Sequence, residues 1–222
     1  ETYVAYCWKE SADAGFDIYT YSGTGSQVTV SHDLGVAPDL ILNFLNVGAA
    51  WDSTAYWNTP FMGTAKGVFM PLYNAAQTTT YVDSTSTTNF VTTNMSTSGR
   101  TYFGYTIANK EGLVRVGQYT GNGDANGTFV YTGFKPAFIL CKRADSASFG
   151  NWRVMDDARD PDNVGDKSLL PNSTSAAETG SDNYVDLLSN GFKLRNTQNW
   201  NSSGTYVFLA IAHNPFKYAT AR

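Results

Sequence analysis

The stretch GVAPDLIL at residues 35–42 decides the fold, because it occurs again as GFKPAFIL at residues 133–140. Upstream of it, YSGTG at residues 21–25 recurs as YTGNG at residues 119–123, with the same spacing of 98 residues. Two blocks that recur at one constant spacing, with no gap needed between them, are typical of an internal repeat. We therefore predict that the chain contains one structural unit twice.

A third block closes each unit. Residues 101–108 (TYFGYTIA) match residues 205–212 (TYVFLAIA), so the second unit is about six residues longer than the first. The same pattern opens the chain as TYVAYCW at residues 2–8. We interpret residues 1–10 as the closing strand of a preceding repeat or as an edge strand of the first unit.

Each unit has the pattern of β-structure. Runs such as residues 40–45 and 138–142 are rich in apolar, β-branched and aromatic residues, with Gly, Pro or Asn at their borders. No segment keeps the helical period of 3.6 residues for more than about three turns. The predicted fold is all-β, with two tandem β-sandwich repeats of about 100 residues, jelly-roll-like in kind, at residues 11–111 and 112–222.

Composition and charge exclude several classes of function. Only 15% of residues are charged and the net charge is −4, while Ser, Thr, Asn and 20 Gly are abundant, as in extracellular and virion β-proteins. The chain has no cluster of basic residues, so we expect no nucleic-acid binding. No apolar stretch approaches the ~20 residues of a membrane-spanning helix, so we expect no membrane insertion.

The cysteines and histidines give no catalytic or zinc motif. Cys7 and Cys141 each lie in an apolar strand pattern, which favours buried free thiols, although a disulfide between them stays open. His32 is followed by Asp33, but residues 130 and 131 of the second unit fill those positions with Val and Tyr. We therefore interpret His32 as a structural residue in a turn, and His213 as a surface or capping residue, and we expect no enzyme.

The richest polar cluster is WRVMDDARDPD at residues 152–162. The favoured interpretation is a strand that ends in a loop whose Arg and Asp side chains bind each other. A ligand-contact surface is a second interpretation. A third is a calcium site, although the spacing matches no EF-hand loop. Its candidate ligands are Asp156, Asp157, Asp160 and Asp162, and no other cofactor is expected.

Aromatic residues beside amide and hydroxyl side chains suggest a saccharide site. The C–H faces of sugars stack on aromatic rings, while Asn or Asp side chains bind the hydroxyl groups. The alternative is that each ring packs into the core, which we favour for Trp152. The candidate glycan-contact residues are Trp51, Tyr56, Trp57, Asn199 and Trp200.

Several stretches resemble a tandem module of uncharacterised chemistry found at or near the C-terminal ends of bacteriophage tail and tail-fibre-like proteins, especially in marine phages and prophages. They are YTGNGDANGTFVYTGFKPAFILCKR, NWRVMDDARDP, LLSNGFKLR, GTYVFLAIAHNPFKYATAR, TYVAYCW and VSHDLGVAPDLIL. The resemblance is strongest over residues 1–10 and 113–222, and weak over residues 46–98. It implies a virion location, a β-rich architecture and a role at the host-facing end, and it supplies no catalytic residues.

Together these observations predict a non-enzymatic virion protein, a tail-fibre or adhesion module that recognises a host surface glycan or receptor. Its expected partners are other virion or tail subunits and the host surface, and a homo-oligomer is among the expected assemblies. Two alternatives stay open. One is a structural or decoration module of the virion without a ligand, and the other is a carbohydrate-binding module of a secreted protein.

Overall fold

The computed structural model describes residues 5–46, 56–58, 62, 66–70, 72, 74–78 and 80–213. Its regular elements there are β-strands, with a 3-10 turn at Ser181–Asn183, so the predicted all-β class is confirmed. The strands are β1 Phe16–Ser22, β2 Val28–Ser31, β3 Leu40–Asn46, β4 Tyr56–Asn58, β5 Val68–Phe69, β6 Ser84–Thr85, β7 Asn89–Thr92, β8 Thr101–Ile107, β9 Val114–Gly121, β10 Phe129–Tyr131, β11 Pro136–Arg143, β12 Arg153–Asp156, β13 Val185–Leu188, β14 Gly191–Leu194 and β15 Gly204–Ala212. No helix in this part of the chain is long and apolar enough to cross a membrane.

The strands pair into four antiparallel sheets. Sheet I has the order β1-β8-β3-β4-β5, and sheet II has the order β2-β7-β6. Sheet III has the order β12-β11-β15-β9, and sheet IV has the order β10-β14-β13. Sheets I and II contain strands of residues 11–111, called the first half below, whereas sheets III and IV contain strands of the second half, residues 112–222.

The two halves share one strand order. In each, the last strand lies between the first and the third, as in β1-β8-β3 and β9-β15-β11. Tyr21 on β1 pairs with Tyr102 on β8, and Tyr119 on β9 pairs with Tyr206 on β15. The rings of each pair stack with their centroids 4.9 Å apart. The sequence repeat therefore corresponds to a repeat of strand pairing.

A central core joins the two halves. Its buried side chains come from one face of sheet I and one face of sheet III, and they include Leu40, Leu42, Val116, Leu140 and Leu209. Burial of this apolar surface between the two large sheets stabilises the pairing of the halves.

Directed bonds also cross this boundary. The indole N–H of Trp152 in the second half donates a hydrogen bond of 2.8 Å to the Phe69 carbonyl oxygen in the first. The backbone N–H of Ala76 donates one of 2.8 Å to the Ala144 carbonyl oxygen. Trp152 is fully buried in the central core, so its predicted packing role is confirmed.

The opposite faces of the large sheets form two outer cores. The first-half core lies between sheets I and II and includes Tyr19, Val30 and Phe90. The second-half core lies between sheets III and IV and includes Trp200 and Phe192. Both faces of the large sheets are thus buried, which explains why β11 and β15 are apolar at almost every position.

In the first half, β1 contributes the aromatic ring of Tyr19 to the outer core. Tyr19 pairs across strands with Gly104 on β8, and its ring meets Phe90 edge-on with the centroids 5.0 Å apart. A Cβ atom at Gly104 would clash with the Tyr19 hydroxyl and the Leu42 carbonyl oxygen. The missing side chain at Gly104 therefore makes room for the ring of Tyr19.

In the second half, the corresponding ring comes from β15, the strand that pairs with β9. Gly117 on β9 pairs with Phe208 on β15, and the Phe208 ring meets Phe192 edge-on with the centroids 5.5 Å apart. A Cβ atom at Gly117 would lie 2.8 Å from the Phe208 ring. The large and the small residue have exchanged strands, while the volume in the core is kept.

The start of the chain differs from the prediction. Residues 5–10 form no strand, and Tyr6 and Trp8 instead pack against Phe138, with ring centroids 4.8 Å and 5.6 Å away. Cys7 is an exposed free thiol, so its predicted burial is wrong. Cys141 is a buried free thiol in the second-half core, as predicted.

A charged side chain is buried at the edge of the central core. The Lys142 ammonium donates a hydrogen bond to the Gly150 carbonyl oxygen and lies 5.8 Å from the ring centroid of Trp152. Burial disfavours the charged form and lowers the pKa of Lys142 to about 8.

This pKa predicts how stability depends on pH. Between about pH 8 and pH 9 the unfolded chain holds the proton of Lys142 more tightly than the folded chain, so the free energy of unfolding rises with pH, by at most about 1.4 kcal/mol per pH unit. Above about pH 9 the buried Cys141 opposes this rise, because burial raises its pKa to about 12 and only the unfolded chain loses the thiol proton there. Above about pH 10 the free energy of unfolding falls, because burial also raises the pKa of Tyr19 and Tyr119 in the folded chain. Urea unfolding across this range checks both limbs. Lys142→Met removes the rising limb and keeps the falling one.

Because Gly104 makes room for the Tyr19 ring, we expect a larger side chain at this position to destabilise the fold. Gly104→Ala is expected to lower the free energy of unfolding by about 2 kcal/mol or more, because the new methyl group overlaps Tyr19. Thr20→Ala, at an exposed position of β1, is the control and should cost less than about 1 kcal/mol in the same urea titration. Equal losses in the two variants would contradict this account of the core.

Candidate functional site

Trp200 lies in the second-half core and not at the surface. The side chain is fully buried, and its indole N–H donates a hydrogen bond of 3.0 Å to the Ser168 hydroxyl. A ring with no exposed face cannot stack on a saccharide, so the predicted glycan contact at Trp200 is replaced by a packing role. The asparagines around Trp200 in the sequence hid this, because they place polar residues on both sides of a core position.

Asn199 belongs to a polar network beside this core. Its amide donates hydrogen bonds to Asn183 at 3.0 Å and to Glu178 at 3.4 Å. Both of these residues also accept from the buried guanidinium of Arg153, at 3.1 Å and 2.6 Å. The amide of Asn199 is thus engaged inside the protein, where it helps to hold in place the two acceptors of the buried Arg153 guanidinium.

Two further aromatic candidates lie on a strand of sheet I. Tyr56 and Trp57 belong to β4, which pairs with β3 on one side and β5 on the other. Their side chains, and all of Trp51, lie outside the described residues.

The polar cluster at residues 152–162 forms a strand and a loop that Arg and Asp side chains hold together. Strand β12 ends at Asp156, whose carboxylate accepts hydrogen bonds from the Arg159 side chain at 2.6 Å, the Arg159 backbone at 2.9 Å and the Tyr6 hydroxyl at 2.7 Å. Burial by itself raises the pKa of Asp156, but these hydrogen bonds outweigh it and lower the pKa. The loop fixed by Arg and Asp side chains is confirmed.

The other carboxylates of this loop have separate partners. Asp157 pairs with His213, and Asp160 accepts a hydrogen bond of 2.9 Å from the Lys167 backbone. Asp162 is exposed. Across the part of the chain that the structure describes, no three His, Cys, Asp or Glu side chains are placed to hold a metal ion. The geometry therefore does not support the calcium interpretation.

The second half has an open cleft that the sequence interpretation missed. It has a volume of about 330 Å³ and lies between β9 and β10, the edge strands of sheets III and IV. We call it the aromatic cleft, and it is lined by Arg115, Val116, Gly117, Gln118, Tyr119, Phe129, Val130, Tyr131 and Phe208.

Two rings at this cleft are exposed. On β10, Val130 is buried in the second-half core, so Phe129 and Tyr131 on either side of it point outward, with 42% and 65% of their surface exposed. Arg115 is also exposed, and its side chain forms no hydrogen bond or ion pair with the described residues. A guanidinium that lines the same cleft as two exposed rings can bind hydroxyl or carboxylate groups on a ligand that stacks on the rings.

The first half has the equivalent cleft, with different side chains. It lies between β1 and β2, has a volume of about 420 Å³, and contains Asp17 where the aromatic cleft has Arg115. This equivalence follows from the stacked tyrosines, since Tyr21 and Tyr119 each follow four residues later. We call it the acidic cleft, and it is lined by Glu10, Asp17, Ile18, Tyr19, Thr20, Tyr21, Thr29, Val30, Ser31, His32 and Asp33.

Strand pairing corrects the repeat alignment around His32. Val30 pairs with Phe90, and Val130 pairs with Phe192, so these two valines are equivalent although they are 100 residues apart. The second half therefore has Thr132, and not Val130, at the place of His32. Compensating length changes in the turns before and after the strand concealed this shift from the sequence.

One sequence pattern could have predicted the exposed rings of the aromatic cleft. Phe129, Val130 and Tyr131 alternate along a short strand, and alternation places one set of side chains on the outer face. Rings on both sides of an inward-facing valine therefore predict exposed aromatics. The approach of Arg115 could not be predicted in this way, because it depends on how two separate sheet edges meet.

The burial of Trp200 predicts a loss of stability upon truncation. Trp200→Ala should lower the free energy of unfolding by about 3–5 kcal/mol, since it removes a fully buried ring and leaves a cavity. Tyr131→Ala, at an exposed ring, is the control and should change it by less than about 1 kcal/mol. Thermal or urea unfolding measures both values, and a mild effect of Trp200→Ala would contradict the packing role.

The comparisons with known proteins identify a family. The model of the family described as Domain of unknown function (DUF7483) matches residues 1–215, which include both halves and both clefts. No curated protein and no solved structure matches the chain. Because the match extends over almost the whole length, the chain belongs to this family of domains of unknown function.

Proposed function

We propose that the chain is a non-enzymatic recognition module of a bacteriophage virion, part of a tail fibre or adhesion apparatus. In this proposal it binds a host surface glycan through the aromatic cleft. Each half is a β-sandwich of jelly-roll-like connectivity, and the stacked halves form a rigid support. The partners are the neighbouring tail subunits and the host surface.

The strand order supports the proposed β-sandwiches. In each half the first, last and third strands are neighbours in one sheet, and the second strand pairs with the penultimate strand in the other. An outer core lies between the two sheets of each half. Two antiparallel sheets around one core, with the terminal strands adjacent, are typical of jelly-roll-like folds.

The exposed rings of the aromatic cleft carry the functional proposal. Phe129 and Tyr131 lie on a strand whose central residue, Val130, is anchored in the core, so binding requires little ordering of backbone. Gly191 on β14 lies opposite Tyr131. A Cβ atom at Gly191 would be 3.1 Å from the Cζ atom of Phe129, so the glycine leaves space for this ring. Fixed rings beside the polar Arg115 suit a saccharide, which presents C–H faces and hydroxyl groups together.

The virion location is supported by sequence. The resemblance to phage tail modules extends over the second half, where the aromatic cleft lies. The low charge, 15% of residues, and the abundance of Ser, Thr, Asn and Gly agree with a protein that works outside cells. Immunogold labelling of phage particles tests this part, and label at the tail is the expected result. Particles that bind no label would contradict the virion location.

The binding experiment uses the whole chain, labelled with a fluorophore, and candidate host cells. We expect saturable binding that soluble host polysaccharide abolishes. The Phe129→Ala/Tyr131→Ala variant should bind at least about tenfold more weakly, and Arg115→Gln should also weaken binding. Phe149→Ala removes an exposed ring that does not line the cleft, and it should bind like the unchanged protein.

The outcomes separate this proposal from its main alternative. Equal binding by the cleft variant and the Phe149→Ala variant would exclude the aromatic cleft as the glycan site. A structural or decoration module is the second candidate, and it is favoured by exposed apolar residues of the first half such as Ile18 and Val36. Absence of binding to any host, together with loss of particle assembly in the Ile18→Asp variant, would support this alternative.

A further inference from the structure

The acidic cleft concentrates negative charge at one sheet edge. Glu10, Asp17 and Asp33 line it, and no Lys or Arg is among its lining residues. Asp17 is buried and accepts a hydrogen bond of 3.3 Å from the Asp33 backbone, so its carboxylate is held on the inner face of β1. The equivalent position in the aromatic cleft has Arg115, so the two clefts differ in the sign of their charge.

The carboxylates repel one another. A hydrogen bond with Asp17 raises the pKa of Glu10, and desolvation and the negative charges of Asp17 and Asp33 raise it further. The neighbouring negative charges thus disfavour the ionised form of Glu10. A bound cation would relieve the same repulsion without a proton.

His32 provides an independent indication of a ligand. Its side chain lines the acidic cleft, only 4% of its surface is exposed, and neither ring nitrogen has a hydrogen-bond partner among the described residues. A neutral imidazole carries one donor and one acceptor, and leaving such buried groups without partners is unfavourable. A polar ligand in the cleft would satisfy them.

The geometry favours an organic cation over a metal ion. The described residues place no three acidic, His or Cys side chains around one point, as a metal ion requires. The cleft, with a volume of about 420 Å³, also has room for a ligand of many atoms.

We propose that the acidic cleft binds the primary ammonium group of an organic ligand, such as an amino sugar or a lysine side chain. The ammonium donates hydrogen bonds to Asp17 and Glu10. The His32 ring accepts or donates one further hydrogen bond. This site is separate from the aromatic cleft, so it does not depend on the proposed glycan recognition.

The test is calorimetric titration of the whole chain at low salt and mildly acidic pH. The probes are a trimer of glucosamine, its fully N-acetylated form, and Nα-acetyl-lysine amide. We expect the glucosamine trimer to bind and the acetylated trimer to bind at least about tenfold more weakly, because acetylation removes the charge. Binding of the lysine derivative as well would identify the shared ammonium, whereas the trimer alone would identify an amino sugar.

Two variants locate the site. Asp17→Asn keeps the acceptor for the Asp33 backbone and removes the charge, and together with Glu10→Gln it should abolish amine binding. Asp13→Asn changes an exposed carboxylate outside the cleft and should leave binding unchanged. In NMR spectra, the ring signals of His32 should shift on addition of the trimer in the unchanged protein only.

Three results would overturn the proposal. One is amine binding that survives the Asp17→Asn/Glu10→Gln change, and another is equal affinity for the acetylated trimer. The third is binding of Mn²⁺ or Zn²⁺ that depends on Asp17, without binding of any amine, which would make the cleft a metal site. Circular dichroism of the variant confirms that a loss of binding is not a loss of fold.

Discussion

The contact between the two large sheets is the constraint on which the rest of the structure depends. Sheets I and III bury one face against each other through Leu40, Leu42, Leu140 and Leu209, and bury the other face against a smaller sheet. Their strands must therefore be apolar on both faces, which leaves few positions for function. Exposed side chains collect where the sheets end, at the edge strands and turns. This explains why both clefts lie beside an edge strand of a large sheet.

Duplication has conserved volume in the cores and changed chemistry in the clefts. The aromatic ring of the outer core comes from Tyr19 in one half and from Phe208 in the other, with a glycine opposite each. The core tolerates this exchange because only the filled volume matters there. At the cleft, in contrast, Asp17 stands at the position of Arg115, so the two halves have opposite charges there. A repeated scaffold can in this way carry two binding sites of opposite character.

A rigid support with two different clefts agrees with the proposed recognition of a surface. Each cleft is built on strands whose alternate residues are anchored in a core, as Val30 and Val130 are. The halves cannot move independently without opening the central core and breaking the bond between Trp152 and Phe69.

The sequence by itself determined the all-β class, the internal repeat and the Arg–Asp loop after β12, because each rests on local patterns of turn residues, apolar runs and adjacent charges. It also predicted that Trp152 is buried. Only the tertiary structure decided that Trp200 is a core residue, that Thr132 replaces His32, and that Cys7 is exposed. It also placed Arg115 beside Phe129 and brought Glu10 to Asp17 and His32. These contacts join residues on different strands and sheets, so they depend on the register and packing of the sheets, which local sequence does not encode.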